Sequence, residues 1–241
     1  MRRSLYDHWH SMTHSLLKRL FTTGNLRVLL LVALGMGLSS CATMENYKKQ
    51  QALTLEQKAA AAKHAEFRTT KNWRSKVYKD AAILAQATPE DTSIIISIKD
   101  QRGLLFVHKM VAMDFPIASG RKDHPTPLGE FKIRDKQKTY GSNVYGKIYD
   151  ATGVVTNSSA NAKTDVIPEG GKFEGASMPY WMRLTDDGVG LHTGYVPGHP
   201  ASHGCVRMPD RITPVVYVHV KIGTPVEIVE LYDPAAPKKK K

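Results

Sequence analysis

In SIIISIKDQRGLLFVH (93–108) two runs of β-branched, leucine and aromatic residues flank Asp100, Gln101, Arg102 and Gly103, a tetrapeptide with turn chemistry. β-Branched side chains are stiff at χ1 and suit a pleated strand, so two such runs parted by Asp and Gly predict a hairpin. Further strand-like runs occupy 111–118, 129–134, 181–185, 189–192, 204–207 and 225–231, with one helix near 209–220 that Pro214 interrupts or shifts. Many short strands and few helices predict a mainly β domain over 92–232. Segment 135–176 breaks that rhythm with KQKTYGSN, TNSSANAKT and PEGG. A polar, Gly-rich stretch of this length inside a compact domain is a functional loop or an elaborated insertion, or else a surface insertion without a role.

Upstream, residues 45–87 are rich in Ala, Gln, Lys and Glu and contain no glycine, which favours helix. Thr54 followed by Gln57 resembles a capping box and places a helix start near 55. Two readings stand for segment 41–91. It is a stalk, or it packs on the domain through Phe67, Trp73, Val77, Ile83 and Leu84. Pro89, Glu90 and Asp91 then mark the domain start.

Arg27 precedes VLLLVALGMGLSSC (28–41). That apolar run fits a signal peptide over 1–40 and falls short of the roughly 20 residues that span a bilayer. Leu38, Ser39, Ser40 and Cys41 resemble a bacterial lipobox, in which the cysteine becomes the lipidated first residue. Ala42, a non-aspartate after it, implies an exported, periplasm-facing lipoprotein of the outer membrane. A plain signal peptide with an incidental cysteine is the alternative, and the start is either Met1 or Met12.

The formal charge is +12. Residues 1–40 hold five of the 34 basic and one of the 22 acidic residues, leaving a surplus of eight, and 233–241 form a basic Pro/Lys tail. Such a balance suits lipid headgroups or cell-wall carboxylates, and export removes nucleic acid as a partner. The two cysteines, Cys41 and Cys205, sit in contexts too different to favour a bridge.

Chemistry concentrates in LHTGYVPGHPASHGCVRMP (191–209), where His192, His199, His203 and Cys205 fall within 14 residues. An imidazole beside a thiol lowers its pKa or takes its proton, which makes a nucleophile. The N–H groups of Gly204 and Cys205 are candidates to stabilise an oxyanion. A zinc site is the second reading, although H-x6-H-x3-H-x-C matches no common finger. Buried histidines closing a turn beside an inert cysteine are the third. His203 shares a face with Cys205 if both are extended, so it competes with His192 as base.

SHGC (202–205) followed by VRMP, with His192 upstream, resembles the catalytic motif of the L,D-transpeptidase (YkuD-like) family. Gly120, PTPLGEF (125–131) and MPYWMRLT (178–185) are also similar to that family, and the resemblance covers roughly 92–231. It implies a β-sandwich or barrel-like catalytic domain with one short helix and a preceding helical segment. It further implies Cys205 as nucleophile, His192 as base and the Thr193 carbonyl as the group that orients the imidazole. Ser202, His203 and Gly204 would shape the site, and Arg207, Tyr180, Trp181 and Tyr195 would contact substrate. The implied partners are peptidoglycan stem peptides, with a wall-anchored protein as a further acceptor and the membrane reached through lipid on Cys41. No metal or organic cofactor is implied. Only nine residues separate His192 from Ser202, shorter than usual for the family, and His192 is followed by Thr-Gly. A carboxypeptidase or amidase using the same cysteine, and a wall-binding lipoprotein without activity, are the competing functions.

Overall fold

A computed structural model describes residues 25–234, with side chains from Met44 onward. Residues 1–24 and 235–241 lie outside the described residues, as do the side chains of residues 38–41, on which the lipidation expectation falls. Two compact units divide at Lys58 and Ala59. The first contains most of helix α1 (Asn25–Thr69), whose side chains from Met44 to Lys58 are largely exposed. Among the described residues no helix is long and apolar enough to cross a membrane. The helix does not start near 55. It runs through that point, and the Thr54 hydroxyl, expected to cap, donates to the Gln50 carbonyl one turn back at 2.8 Å. A Thr hydroxyl has both options, and with no Gly or Pro between residues 42 and 53 the helix continues through it.

The second unit begins at Ala59, ahead of the Pro89–Asp91 boundary expected from sequence. Strands β1 (Tyr78–Lys79), β2 (Thr92–Ser97), β3 (Arg102–Val107), β4 (Met110–Pro116), β5 (Gly129–Lys132) and β13 (Pro225–Val229) form a six-stranded sheet ordered β1-β4-β3-β2-β13-β5. The hairpin read from 93–108 is its centre, with Ile95 opposite Leu104 and Gln101 in the left-handed region at φ 53°. Strands β6 (Asp135–Gln137), β10 (Trp181–Arg183), β11 (Gly190–Thr193) and β12 (Val206–Met208) make a second sheet, ordered β12-β11-β10-β6.

One core joins the two sheets. Ile94, Ile96, Leu105, Val107 and Met113 of the first meet Met182, Leu191, Val206 and Met208 of the second, with Ile83 and Leu84 of α2 (Ala81–Ala85) and Val216 of α3 (Thr213–His219) closing the ends. The fold is a mainly β sandwich with few helices, as the strand pattern predicts. Pro214 sits in the first turn of α3, where the missing N–H costs nothing.

The outer face of the six-stranded sheet is also covered. Leu104, Phe106, Val111 and Tyr78 cluster there with Phe67 from the end of α1 and Tyr232. Of the residues expected to pack an N-terminal helix, Phe67, Ile83 and Leu84 do so, and Val77 is exposed. Beneath this layer lies an ionic knot. Asp114 accepts from His64 Nε2 at 2.8 Å, Arg68 Nε at 3.0 Å and Arg102 Nε at 2.7 Å.

Segment 135–176 is not a loop. It supplies β6 and then a third, antiparallel sheet of β7 (Gly141–Tyr149), β8 (Val155–Asn161) and β9 (Lys172–Ser177), ordered β8-β7-β9. Glycine permits that pairing: a Cβ on Gly175 would lie 1.8 Å from the Ser142 carbonyl oxygen, and one on Gly146 2.1 Å from that of Glu174.

Candidate active site

The site is built where β11 and β12 run parallel in the second sheet. Leu191 pairs with Val206, His192 with Arg207 and Thr193 with Met208. Cys205 lies just before this ladder, in a bend, with its thiol against the backbone of Gly190, two residues before His192 on β11. Gly190 is required there, because a Cβ would meet the Trp181 ring at 2.5 Å and the Met182 carbonyl at 2.6 Å.

His192 is buried, and its Nδ1 lies 2.8 Å from the Thr193 carbonyl oxygen. A carbonyl only accepts, so Nδ1 carries the proton and Nε2 keeps its lone pair. Burial pulls the imidazole pKa down to about 4, against the Thr193 bond, and the nearby Arg207 charge lowers it further. Burial pushes the Cys205 thiol up, with the Gly190 backbone and Arg207 pulling the other way and Asp187 adding to the rise. The Sγ donates to the Gly188 carbonyl at 3.5 Å. The resting pair is therefore neutral imidazole and thiol, and the expectation that the imidazole holds the thiol pKa down does not describe this geometry.

The SHGC turn is pinned on several sides. Ala118 and Arg207 exchange backbone hydrogen bonds of 3.0 and 2.9 Å, and the Ser119 carbonyl accepts from Ala201 and Ser202 N–H. Gln101 fixes Ser119 in turn through Oε1 to its N–H at 3.0 Å and Nε2 to its hydroxyl at 2.8 Å. The first hairpin's turn thus braces the nucleophile loop. Gly120 comes so close to Gly204 that a Cβ would sit 2.9 Å from its Cα. The Ser202 hydroxyl donates to the Cys205 carbonyl and accepts from the Gly204 N–H at 3.1 Å. The Gly204 N–H, expected as an oxyanion donor, is thereby occupied.

His203 is not on the face of Cys205. Residues 203–205 bend rather than extend, with Gly204 at φ 112°, a conformation that favours glycine. The His203 ring instead stacks on Tyr145 at 4.3 Å and lies 5.0 Å from that of His124. Its pKa is lowered by burial and by the charges of Arg121, His124 and Arg207. His199 is exposed with Nδ1 at the Pro200 carbonyl. The three histidines of the motif point to different partners and converge on no ligand set.

The expected substrate-contact residues separate. Trp181 is 1% exposed, so it is a wall behind His192, at 6.2 Å between ring centroids, and not a contact surface. Tyr180, at φ 55°, packs edge-on against Tyr217, while Tyr195 is 78% exposed and Arg207 half-buried on β12 beside Gly194. The Thr193 hydroxyl is buried without a hydrogen-bond partner. Sequence reasoning missed Thr126, Gln101, Tyr140 and Tyr145. Tyr140 stacks on Trp181 at 4.9 Å and Tyr145 on His203, so the three-stranded insertion is anchored on the walls of the site.

A thiol in a bend, a buried imidazole on the neighbouring strand and a tightly pinned glycine loop thus come together at one end of the second sheet. Residues 91–228 match the L,D-transpeptidase catalytic domain (YkuD) family, and the chain belongs to it. Solved structures with a similar fold include an L,D-transpeptidase from Mycobacterium smegmatis (19% identity, TM-score 0.44, covering 58% of each chain). An L,D-transpeptidase in complex with imipenem (22%, TM-score 0.43, 58% of this chain and 59% of that) and one from Stackebrandtia nassauensis (18%, TM-score 0.42, 73% and 66%) are also similar. The chain spans about 58–66% of the length of these structures. No curated protein matches it.

Proposed function

We propose that this protein is a peptidoglycan L,D-transpeptidase that forms a cysteinyl acyl-enzyme on Cys205 from stem tetrapeptides. The observation that carries the proposal is the Cys205 thiol held against the backbone of Gly188 and Gly190, at the start of the strand that bears a buried His192 whose Nδ1 bond to Thr193 leaves Nε2 as the proton acceptor. As Sγ attacks the carbonyl carbon of the third residue, its proton passes to His192 Nε2 and the carbonyl oxygen becomes an oxyanion. Collapse breaks the C–N bond, and His192 returns the proton to the departing D-alanine amine. An acceptor amine from a second stem, or from a wall-anchored protein, then attacks the thioester, losing a proton to His192 as the thiol is regenerated. No cofactor enters these steps. The insertion, seated on Trp181 and His203, is placed to shield the thioester from water, which favours an amine over hydrolysis.

The test is intact-protein mass. Incubation with imipenem is expected to add one β-lactam mass to the wild type and none to Cys205→Ser. Defined muropeptides should give cross-linked products; free tripeptide alone would assign a carboxypeptidase, and a mass unchanged by both reagents would leave a binding module.

We also propose that the chain matures as an outer-membrane lipoprotein, exported with residues 1–40 removed and Cys41 acylated, and that the segment after Cys41 spaces the catalytic domain from the membrane. In a Gram-negative host it should incorporate labelled fatty acid and fractionate with the outer membrane. Equal labelling of Cys41→Ser would overturn the anchor.

A further inference from the structure

Three consecutive peptide units around the nucleophile are held by two hydroxyls. Ser202 Oγ takes the Gly204 N–H and donates to the Cys205 carbonyl. The unit between them belongs to Thr126. Its Oγ1 accepts from the Gly120 N–H at 2.8 Å and donates to the Gly204 carbonyl at 2.8 Å, so its single proton is committed. Thr126 is buried at 7% exposure and stands 78 residues from Gly204 in sequence.

A trans peptide is planar, with its C=O and N–H pointing in opposite directions. Holding the Gly204 oxygen therefore aims the Cys205 N–H, which belongs to the same peptide unit, away from Thr126. Gly204 has no side chain, sits at φ 112° and has no backbone preference strong enough to hold that plane alone. With the Gly204 N–H spent on Ser202, the Cys205 N–H is the donor nearest the sulfur that no hydrogen bond of the turn takes up.

We propose that Thr126 is a positioning residue that sets the oxyanion donor: its hydroxyl fixes the Gly204–Cys205 peptide so that the Cys205 N–H meets the oxygen of the tetrahedral intermediate. The inference rests on the acyl-enzyme reading given above. It requires Thr126 to matter when a carbonyl oxygen takes up charge, and to matter little when the same sulfur attacks a carbon that generates no oxyanion.

The experiment compares two reactions of one thiol. Imipenem acylates through a tetrahedral oxyanion, the β-lactam C–N bond breaking and its nitrogen taking the proton from His192. Iodoacetamide alkylates by displacement of iodide and forms no oxyanion. Thr126→Val keeps the shape and deletes the hydroxyl. It is expected to slow acylation by about 10²-fold, the usual loss for an oxyanion donor, while alkylation changes less than about threefold. Thr126→Ser restores the hydroxyl and should return acylation to within about fivefold of wild type. If Thr126→Val does not fold, Thr126→Ala, which removes the hydroxyl without setting a methyl against the Gly120 N–H, is read for the same split. Equal losses in both reactions, or acylation at the wild-type rate, would overturn the inference while the acyl-enzyme reading stands. A wild-type protein that alkylates and never acylates would overturn that reading and this inference with it.

Discussion

His192→Ala is expected to slow acylation of Cys205 by about 10²- to 10⁴-fold near neutral pH, the range over which a positioned general base contributes. The size follows from the state of the resting pair. Burial raises the thiol pKa and lowers that of the imidazole to about 4, so little thiolate waits at pH 7 and the proton must leave during attack. The pH dependence gives the sign. His192 is neutral, and a base, above about pH 4; wild-type acylation should hold from pH 7 to about 5 and fall as pH drops through about 4. In His192→Ala that acid limb disappears, and the residual rate should climb about tenfold per pH unit on the alkaline side as thiolate forms without help. His203→Ala removes a stack with Tyr145 and should reduce acylation less while keeping the limb. Measuring imipenem acylation from pH 3.5 to 9 in the three proteins decides the assignment. Loss of the limb in His203→Ala alone would exchange the two histidines.

The same burial contributes to stability. The unfolded chain takes up the His192 proton near the ordinary imidazole value of about 6.5, and the folded one only near 4. Between those values the unfolded state binds more protons, so stability falls as pH is lowered through this window, by roughly 3 kcal/mol.

The hairpin at 93–108 was legible because each run carries its own propensity and its turn contains Asp and Gly. The candidate site was legible because SHGC and His192 fall in one short string. Other features were hidden for identifiable reasons. Strands β7–β9 need glycine at Gly146 and Gly175 to let backbones approach, and polar residues and those glycines break up their β formers, such as Val144, Tyr145, Ile148 and Tyr149, so no continuous strand-like run stands out. Thr54 offers the same side chain to a cap and to an interior helix bond, and sequence does not choose between them. The occupied Gly204 N–H depends on a φ of 112° that no residue pattern states. The cover on the outer sheet face did leave a trace: Leu104, Leu105, Phe106 and Val107 are apolar without alternation, the mark of a strand buried on both sides. A one-sided sheet would have placed polar residues at 104 and 106.

Within that doubly covered sheet Asp114 is a position where one substitution costs the fold heavily. Asp114→Ala is expected to destabilise the second unit by about 3–5 kcal/mol, the usual result of breaking a buried ion pair from one side, and to lower Tm by roughly 10 °C. Arg102 is 0% exposed and pairs through Nε with Asp114 Oδ1 at 2.7 Å, and its second terminal nitrogen already lacks a partner. Removing the carboxylate strands that guanidinium in the interior, left with its bond to the Arg74 carbonyl at 2.7 Å and the faces of Trp73 and Phe67. Two further groups lose the same acceptor, His64 Nε2 and Arg68 Nε, both on the last turns of α1. Arg68 keeps a 3.4 Å contact with Asp100 and its stacking on Trp73 and Tyr232, but loses its shortest ionic bond, so the docking of Ala59–Thr69 on the sheet should loosen first. Burial pushes the Asp114 carboxyl up, but its bonds to His64, Arg102 and Arg68 outweigh that and hold it below the usual carboxylate range. A depressed carboxylate contributes stability above its unfolded pKa of about 3.9 and loses it as pH falls through the folded value. The gap between wild type and Asp114→Ala should therefore be full at pH 7 and narrow only in strong acid. Thermal melts at pH 7 and pH 3, with proteolysis of residues 59–69 followed by mass, test both halves. A Tm within about 2 °C of wild type at pH 7 would show that the knot is dispensable, and that Phe67 and Tyr232 hold the helix without it.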